Sequence, residues 1–189
     1  YNGTSWSNQT CYPYPGRSAG AAGADNEDFI VFGGLTHTCS TKWNGSSWAA
    51  TNPLNVARYY LGGAGTANSA AGVGGLIPPN NYTTCHETWD GTNWSVATAH
   101  PAGGTISGAA VGGTDSEDHG TAGTNAGGSE VYTWNGSSWS EIASLNTIRS
   151  WAGGNGGTEN WLVFGGEGPA SPFASIKNTE EYNGTSWST

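Results

Sequence analysis

Positive charge is scarce in this chain. Five Lys and Arg stand against 14 Asp and Glu, a formal net charge of −9. Nucleic acid and anionic membrane surfaces both require a basic face, so neither is expected as a partner. Charged residues of both signs make up only 10%, against about a quarter in ordinary domains, which argues against a solvated, disordered chain. There is no long, gapless apolar run, so membrane insertion is not expected. No segment keeps a 3.6-residue apolar period, so no long helix is expected either. Methionine is absent, and the chain opens on Tyr1 without a signal-peptide pattern. The reading is a mature or excised piece of a longer product, its targeting segment out of sight.

Glycine and tryptophan are plentiful: 32 and 10 of 189 residues. No Gly-X-Y period is present, so the glycine belongs to turns and tightly packed strands. The indoles require burial or a binding role. One phrase recurs: YNGTSW at 1–6 and 182–187, WNGSSW at 43–48 and 134–139, and WDGTNW at 89–94. Asn-Gly or Asp-Gly predicts a two-residue hairpin with both central residues at positive φ, pairing 43 with 46 and 41 with 48. From Asn2 the turns follow at intervals of 42, 46, 45 and 48 residues. Such a period, with four short strands in each, predicts an all-β chain of four-stranded antiparallel blades, a β-propeller.

The rest of each period fits. A small-residue strand (RSAGAAGA, RYYLGGAG, TISGAAVGG, RSWAGGNGG) precedes one closing on Gly-Gly: 29–34, 70–75, a degraded GTNAGG at 123–128, and 161–166. This wording resembles the kelch repeat. Its Asn-Gly-[Ser/Thr]-Ser-Trp, Leu-Asn-Thr-x-Arg and Phe-Gly-Gly elements resemble kelch-like arrays in virion and surface proteins of tailed phages and aquatic bacteria. The third blade departs from the pattern, lacking the arginine. The resemblance implies a propeller used for binding or architecture, with no reaction implied. The whole chain, 1–189, reads as one propeller or propeller fragment, with repeats at about 2–43, 44–89, 90–134, 135–182 and a partial 183–189. About four blades plus an overlapping hairpin leave two possibilities: a closed four-bladed ring, or part of a larger or assembled one.

With strands named a to d in each blade, the d–a and b–c connections share one end of the ring and carry the variable loops. Function is expected there. Arg17, Arg58 and Arg149 are each expected to open strand a beside the channel at this end, and form either an anionic or sugar-ligand mouth or a set of clamps on loop carbonyls. Tyr14, Tyr60 and Trp151 are the non-repeating aromatics proposed to meet a ligand. Tyr12, Tyr59, Tyr82 and Phe173 stand near the same loops. The hairpin tryptophans are expected to pack between blades. Asn2, Asn8, Asn44, Asn81, Asn93, Asn135 and Asn183 each open a glycosylation sequon, although turn chemistry alone accounts for those within Asn-Gly. Cys11 and Cys39 are candidates for a disulfide, which leaves Cys85 over.

No cofactor, metal or catalytic group is expected. His37 with Cys39 and Cys85 with His86 match no zinc spacing. TDSEDHG at 114–120 lacks the distal glutamate of a calcium loop and reads as solvated. No paired carboxylates or Ser-His-Asp set emerges. The expectation is a non-enzymatic extracellular or virion surface propeller contacting glycan or a surface protein. The alternative is a building block of a fibre or coat, N-glycosylated and assembled through blade faces or termini.

Overall fold

The computed structural model describes residues 4–6, 8–14, 17–35, 37–102, 110–123, 128–169 and 174–189. Among these there is no helix. Blade I consists of β1 (Gly20–Gly23), β2 (Phe29–Phe32), β3 (Ser40–Trp43) and β4 (Trp48–Thr51). Blade II begins with β5 (Gly62–Gly65) and β6 (Ala70–Val73). A ribbon of β7 (Leu76–Ile77) and β8 (Asn81–Tyr82) interrupts it before β9 (His86–Trp89) and β10 (Trp94–Val96). Blade III is β11 (Ala110–Gly113), β12 (His119–Ala122), β13 (Val131–Trp134) and β14 (Trp139–Ile142). Blade IV is β15 (Gly153–Gly157), β16 (Asn160–Phe164), β17 (Thr179–Tyr182) and β18 (Trp187–Ser188). Within each blade the strands pair antiparallel in chain order. The four sheets form a ring, a four-bladed β-propeller.

The first strands are innermost: β1 packs on β5, β5 on β11, and β11 on β15. All four line an axial channel of about 150 Å³. Their glycine content follows from this crowding. A Cβ on Gly63 would stand 2.2 Å from the Ala21 carbonyl oxygen of the neighbouring blade, and one on Gly112 would stand 2.9 Å from that of Gly156. Only glycine permits so close a backbone approach.

The recurring turn differs from the one the sequence predicts. Trp43 pairs with Trp48, Trp89 with Trp94, Trp134 with Trp139, and Tyr182 with Trp187. The loop is therefore four residues long, and the phrase's two aromatics stand directly opposite one another. Only its glycines have positive φ, for example +86° at Gly45 and +87° at Gly136. The asparagine works through its side chain instead. Asn44 Oδ1 accepts from the amides of Ser46 (3.1 Å) and Ser47 (2.9 Å), an Asx-type cap. Asp90, Asn135 and Asn183 do the same.

Blade III brings a second correction. Its second strand is His119–Ala122, where the sequence suggested 123–128. Gly123, at φ +71°, ends it as Gly33, also at +71°, ends β2. The segment 114–118 is consequently the turn between first and second strands, and His119 is buried rather than solvated.

The core is divided among the joints between blades. Ile30 and Phe32 of blade I meet Leu54, Leu61 and Trp94 between blades I and II. Ala71 and Val73 meet Trp139 between II and III. Ala122 and Val131 meet Leu145, Trp161 and Val163 between III and IV. Each fully buried aliphatic or aromatic side chain stabilises the fold by about 1.5–3 kcal/mol relative to exposure. The hairpin aromatics Trp89, Trp94, Trp134, Tyr182 and Trp187 are buried in these joints, as repeat-wide packing requires.

Candidate functional site

The loops that lead into blades II and IV are built alike. Each carries Leu-Asn-x-x-Arg, at 54–58 and at 145–149. The leucine is buried in a joint. The arginine lies four residues before the first strand and is itself fully buried. Arg58 Nη1 donates to the carbonyls of Gly74 and Cys85, both at 2.9 Å, and Nη2 donates to Glu87 Oε1 at 2.9 Å. Arg149 repeats this with the carbonyls of Gly165 and Asn178, both at 3.0 Å, and with Glu180 Oε1 at 2.6 Å. The second carboxylate oxygen of each glutamate accepts the loop asparagine's amide: Asn55 N at 2.7 Å and Asn146 N at 2.6 Å. Burial pulls the Arg58 guanidinium below its ordinary value, and the Glu87 carboxylate opposes this. Each glutamate thus holds both its arginine and the loop's backbone amides.

Two residues after each clamp stands an aromatic ring. Tyr60 and Trp151 occupy equivalent positions, two before the first residues of β5 and β15. Their backbones are left-handed, with φ of +55° and +56°. Ser18 of blade I holds the same place at +62° and accepts the Tyr60 amide at 2.8 Å. A bulky side chain at positive φ is an outlier, and glycine would take the conformation freely. The two rings are only partly covered, 38% and 42% exposed. They meet edge to face, centroids 5.2 Å apart, at the end of the ring where the d–a connections emerge. Tyr60 also lies 5.3 Å from the buried Tyr59, whose hydroxyl donates to the Pro79 carbonyl beside the ribbon. The result is an apolar, partly open aromatic platform mounted on two clamped loops.

The other sequence candidates scatter. Arg58 and Arg149 are inside the fold, holding carbonyls, and not at a solvent mouth. Arg17 is exposed and lies three residues before its strand, one place out of register with them. Tyr14 stacks with Tyr12 (5.9 Å), which in turn meets Trp48 on blade I, away from the Tyr60–Trp151 pair. Tyr82 is exposed on the ribbon. Asn8, Asn44, Asn81, Asn93, Asn135 and Asn183 are all exposed, while Asn2 and Phe173 lie outside the described residues. Cys11, Cys39 and Cys85 stand as free thiols in the structure, Cys11 exposed and the other two partly buried.

Two groupings went unread in the sequence. His86, His100 and His119 converge between blades II and III. His86 Nε2 lies 3.0 Å from His119 Nε2, and His100 Nε2 lies 2.7 Å from Thr121 Oγ1. Trp134 and Trp139 pack against His86, centroids at 4.7 and 5.0 Å. Burial is the main cause that lowers all three, His86 and His100 to about 4 and His119 to about 3. They are neutral at pH 7 and act as packing. Among the described residues no group of three or more His, Cys, Asp or Glu is placed to hold a metal ion. The second grouping is a cavity of about 460 Å³ at the opposite end of the ring, lined by Asp115, Glu117, Asp118 and Glu159 among others. Asp115 Oδ1 accepts the amides of Glu117 and Asp118 at 2.7 and 2.9 Å, so this carboxylate is engaged in holding its own turn.

No family model matches the chain, and no curated protein sequence does. Solved structures do match. The structure of YjhT, a propeller, superposes with a TM-score of 0.75 at 14% identity, over 97% of this chain and 73% of that one. At that identity the likeness concerns the fold, and it agrees with the four sheets: the chain is a β-propeller.

Proposed function

We propose that the chain is a kelch-like, non-enzymatic surface module, extracellular or on a virion, that binds glycan or a surface protein through the end of the ring bearing the d–a and b–c connections. Tyr60 and Trp151 are its contact residues. One observation carries this reading: two exposed aromatic rings held at strained, left-handed positions on opposite clamped blades. The left-handed backbone recurs at Ser18 of blade I, so it is the placing of a large, exposed ring at positive φ that supports a contact role. An aromatic face takes the apolar face of a pyranose or an apolar side chain, and the tyrosine hydroxyl and indole N–H supply directional bonds at its edge.

The test is binding of immobilised oligosaccharides and candidate surface proteins by the chain and its single variants. Trp151→Ala is expected to weaken binding about tenfold, or ~1.4 kcal/mol. Tyr14→Ala, on a ring that packs with Tyr12 and not with the pair, is expected to leave it unchanged. Equal binding by Trp151→Ala and the unaltered chain would remove the site.

A further inference from the structure

Hydrogen bonds fix the tautomers of the three histidines between blades II and III, because their partners at Nδ1 can only give or only take a proton. For His100 the assignment closes. The Ala102 amide donates to Nδ1 at 3.1 Å, so the ring proton is on Nε2, which donates to Thr121 Oγ1 at 2.7 Å. His86 and His119 go the other way. His86 Nδ1 lies 3.1 Å from the Thr98 carbonyl oxygen, and His119 Nδ1 lies 3.3 Å from that of Asp115. A carbonyl only accepts, so both neutral rings carry their proton on Nδ1. Their Nε2 atoms are then both bare, and they face each other at 3.0 Å. Both side chains are fully buried, and the gap is too short for a water molecule. Two lone pairs meet in a closed joint with no proton between them.

Facing lone pairs call for a cation, and the surroundings narrow its kind. Backbone carbonyls on the far ring nitrogens are the partners that orient metal-ligating imidazoles and fix their tautomer. Trp134 and Trp139 lie 4.7 and 5.0 Å from the His86 ring, and Trp139 lies 5.5 Å from the His119 ring. These spacings fall within the ~6 Å over which an indole face attracts a cation. Neither nitrogen bears charge, and among the described residues no third His, Cys, Asp or Glu is placed to join them. Zinc calls for four ligands, and a divalent charge here would be left uncompensated. A monovalent ion with a closed d shell is satisfied by two nitrogens in line, and copper suits imidazole. We propose that His86 and His119 form a linear, two-coordinate site for a soft monovalent cation, Cu(I) or its analogue Ag(I). Metal–nitrogen bonds of about 2.0 Å set the two nitrogens ~4 Å apart, so the rings part by ~1 Å when the ion enters. This joint can give that much. Its buried apolar cluster consists of Ala71 and Val73 alone, against eight and seven residues in the I–II and III–IV clusters. The occupied site ties β9 of blade II to β12 of blade III.

Silver(I) is the probe, and the imidazole ¹⁵N signals of the unaltered chain are the readout. Without metal, both Nε2 signals are expected to be those of unprotonated nitrogen and both Nδ1 signals those of protonated nitrogen. Added Ag(I) is expected to shift the two Nε2 signals together. The thiols of Cys11, Cys39 and Cys85 also take this ion. Stoichiometry is therefore read in a chain carrying Cys11→Ser, Cys39→Ser and Cys85→Ser, where one equivalent is expected to saturate the pair. In that background His86→Gln and His119→Gln are each expected to weaken Ag(I) binding at least about tenfold, and His100→Gln to leave it unchanged. Should a glutamine variant not fold, the signals of the unaltered chain decide. A proton found on either Nε2 overturns the proposal, since the pair is then an ordinary hydrogen bond. So does a titration that moves neither Nε2 signal or only one of them, or Ag(I) binding that survives both glutamine variants.

Discussion

In blades II and IV an arginine before the first strand reaches a glutamate in the third: Arg58 to Glu87 and Arg149 to Glu180. At the glutamate's place in blade I stands Thr41, whose hydroxyl donates to the Ala49 carbonyl, and in blade III stands Tyr132. The clamped blades carry Tyr60 and Trp151 two residues beyond the arginine, while unclamped blade I carries Ser18 in the same left-handed conformation. The difference shows how the binding end is made. A left-handed residue at this place belongs to the repeat, and an aromatic ring there accompanies a buried ion pair that fixes the loop beneath it.

Removing a clamp should have the largest effect. Arg149→Ala leaves Glu180 buried and unpaired, and is expected to destabilise the fold by about 3–5 kcal/mol in urea unfolding. Thr41→Val at the matching place in blade I loses one hydrogen bond, about 1 kcal/mol. Equal losses at the two positions would erase the comparison.

Acid sharpens it from another direction. Blade III rests on clamped blade II through three buried histidines, whereas the III–IV cluster is built of apolar and aromatic side chains. The folded histidines sit at about 4, 4 and 3. Below about 6.5 the unfolded chain takes up protons that the folded joint refuses, so their contribution is present above that value and is lost as pH falls toward the folded values. The slope is roughly 1.4 kcal/mol per pH unit for each histidine. Arg58 and Glu87 both act on His86, with opposite signs. Measured against the intrinsic amide rate at each pH, protection from hydrogen exchange at pH 5 should therefore fall in β9 and β12 more than in β16 and β17. Uniform acceleration would assign the acid response to the whole fold instead.

The smallest effect is expected at the strained aromatics. Tyr60→Gly relieves a left-handed conformation, so despite glycine's greater unfolded-state freedom its stability should change by less than ~1 kcal/mol. Ligand binding should fall all the same. A large loss of stability would make Tyr60 a packing residue and break its link with Trp151.

The four-stranded repeat and its strand order were legible because the hairpin phrase and the Gly-Gly closures repeat at fixed spacing, whereas the closing of four blades into one ring was left open. Turn length was not, because Asn-Gly is the signal of a two-residue hairpin, whereas Asn44 caps a four-residue loop through Oδ1. β12 was misplaced because His119-Gly120-Thr121-Ala122 has none of the apolar residues that mark β2 and β16. Half of each clamp was visible as Leu-Asn-x-x-Arg. Glu87 and Glu180, each two residues before the hairpin aromatic, gave a signal only when paired with it. The conformations of Tyr60 and Trp151 left no trace, since neither is a residue type that favours positive φ. The histidines, at 86, 100 and 119, are brought together only by the ring.

The indole N–H signals of the ten tryptophans, followed by ¹H–¹⁵N NMR through a titration with soluble neutral and acidic oligosaccharides and candidate surface proteins, test the binding platform most directly. The expected result is a ligand that shifts the Trp151 signal first and furthest, with the shift reduced in Tyr60→Ala. A ligand that binds while Trp151 stays still, or a Trp151 signal that none of the ligands moves, would contradict the account.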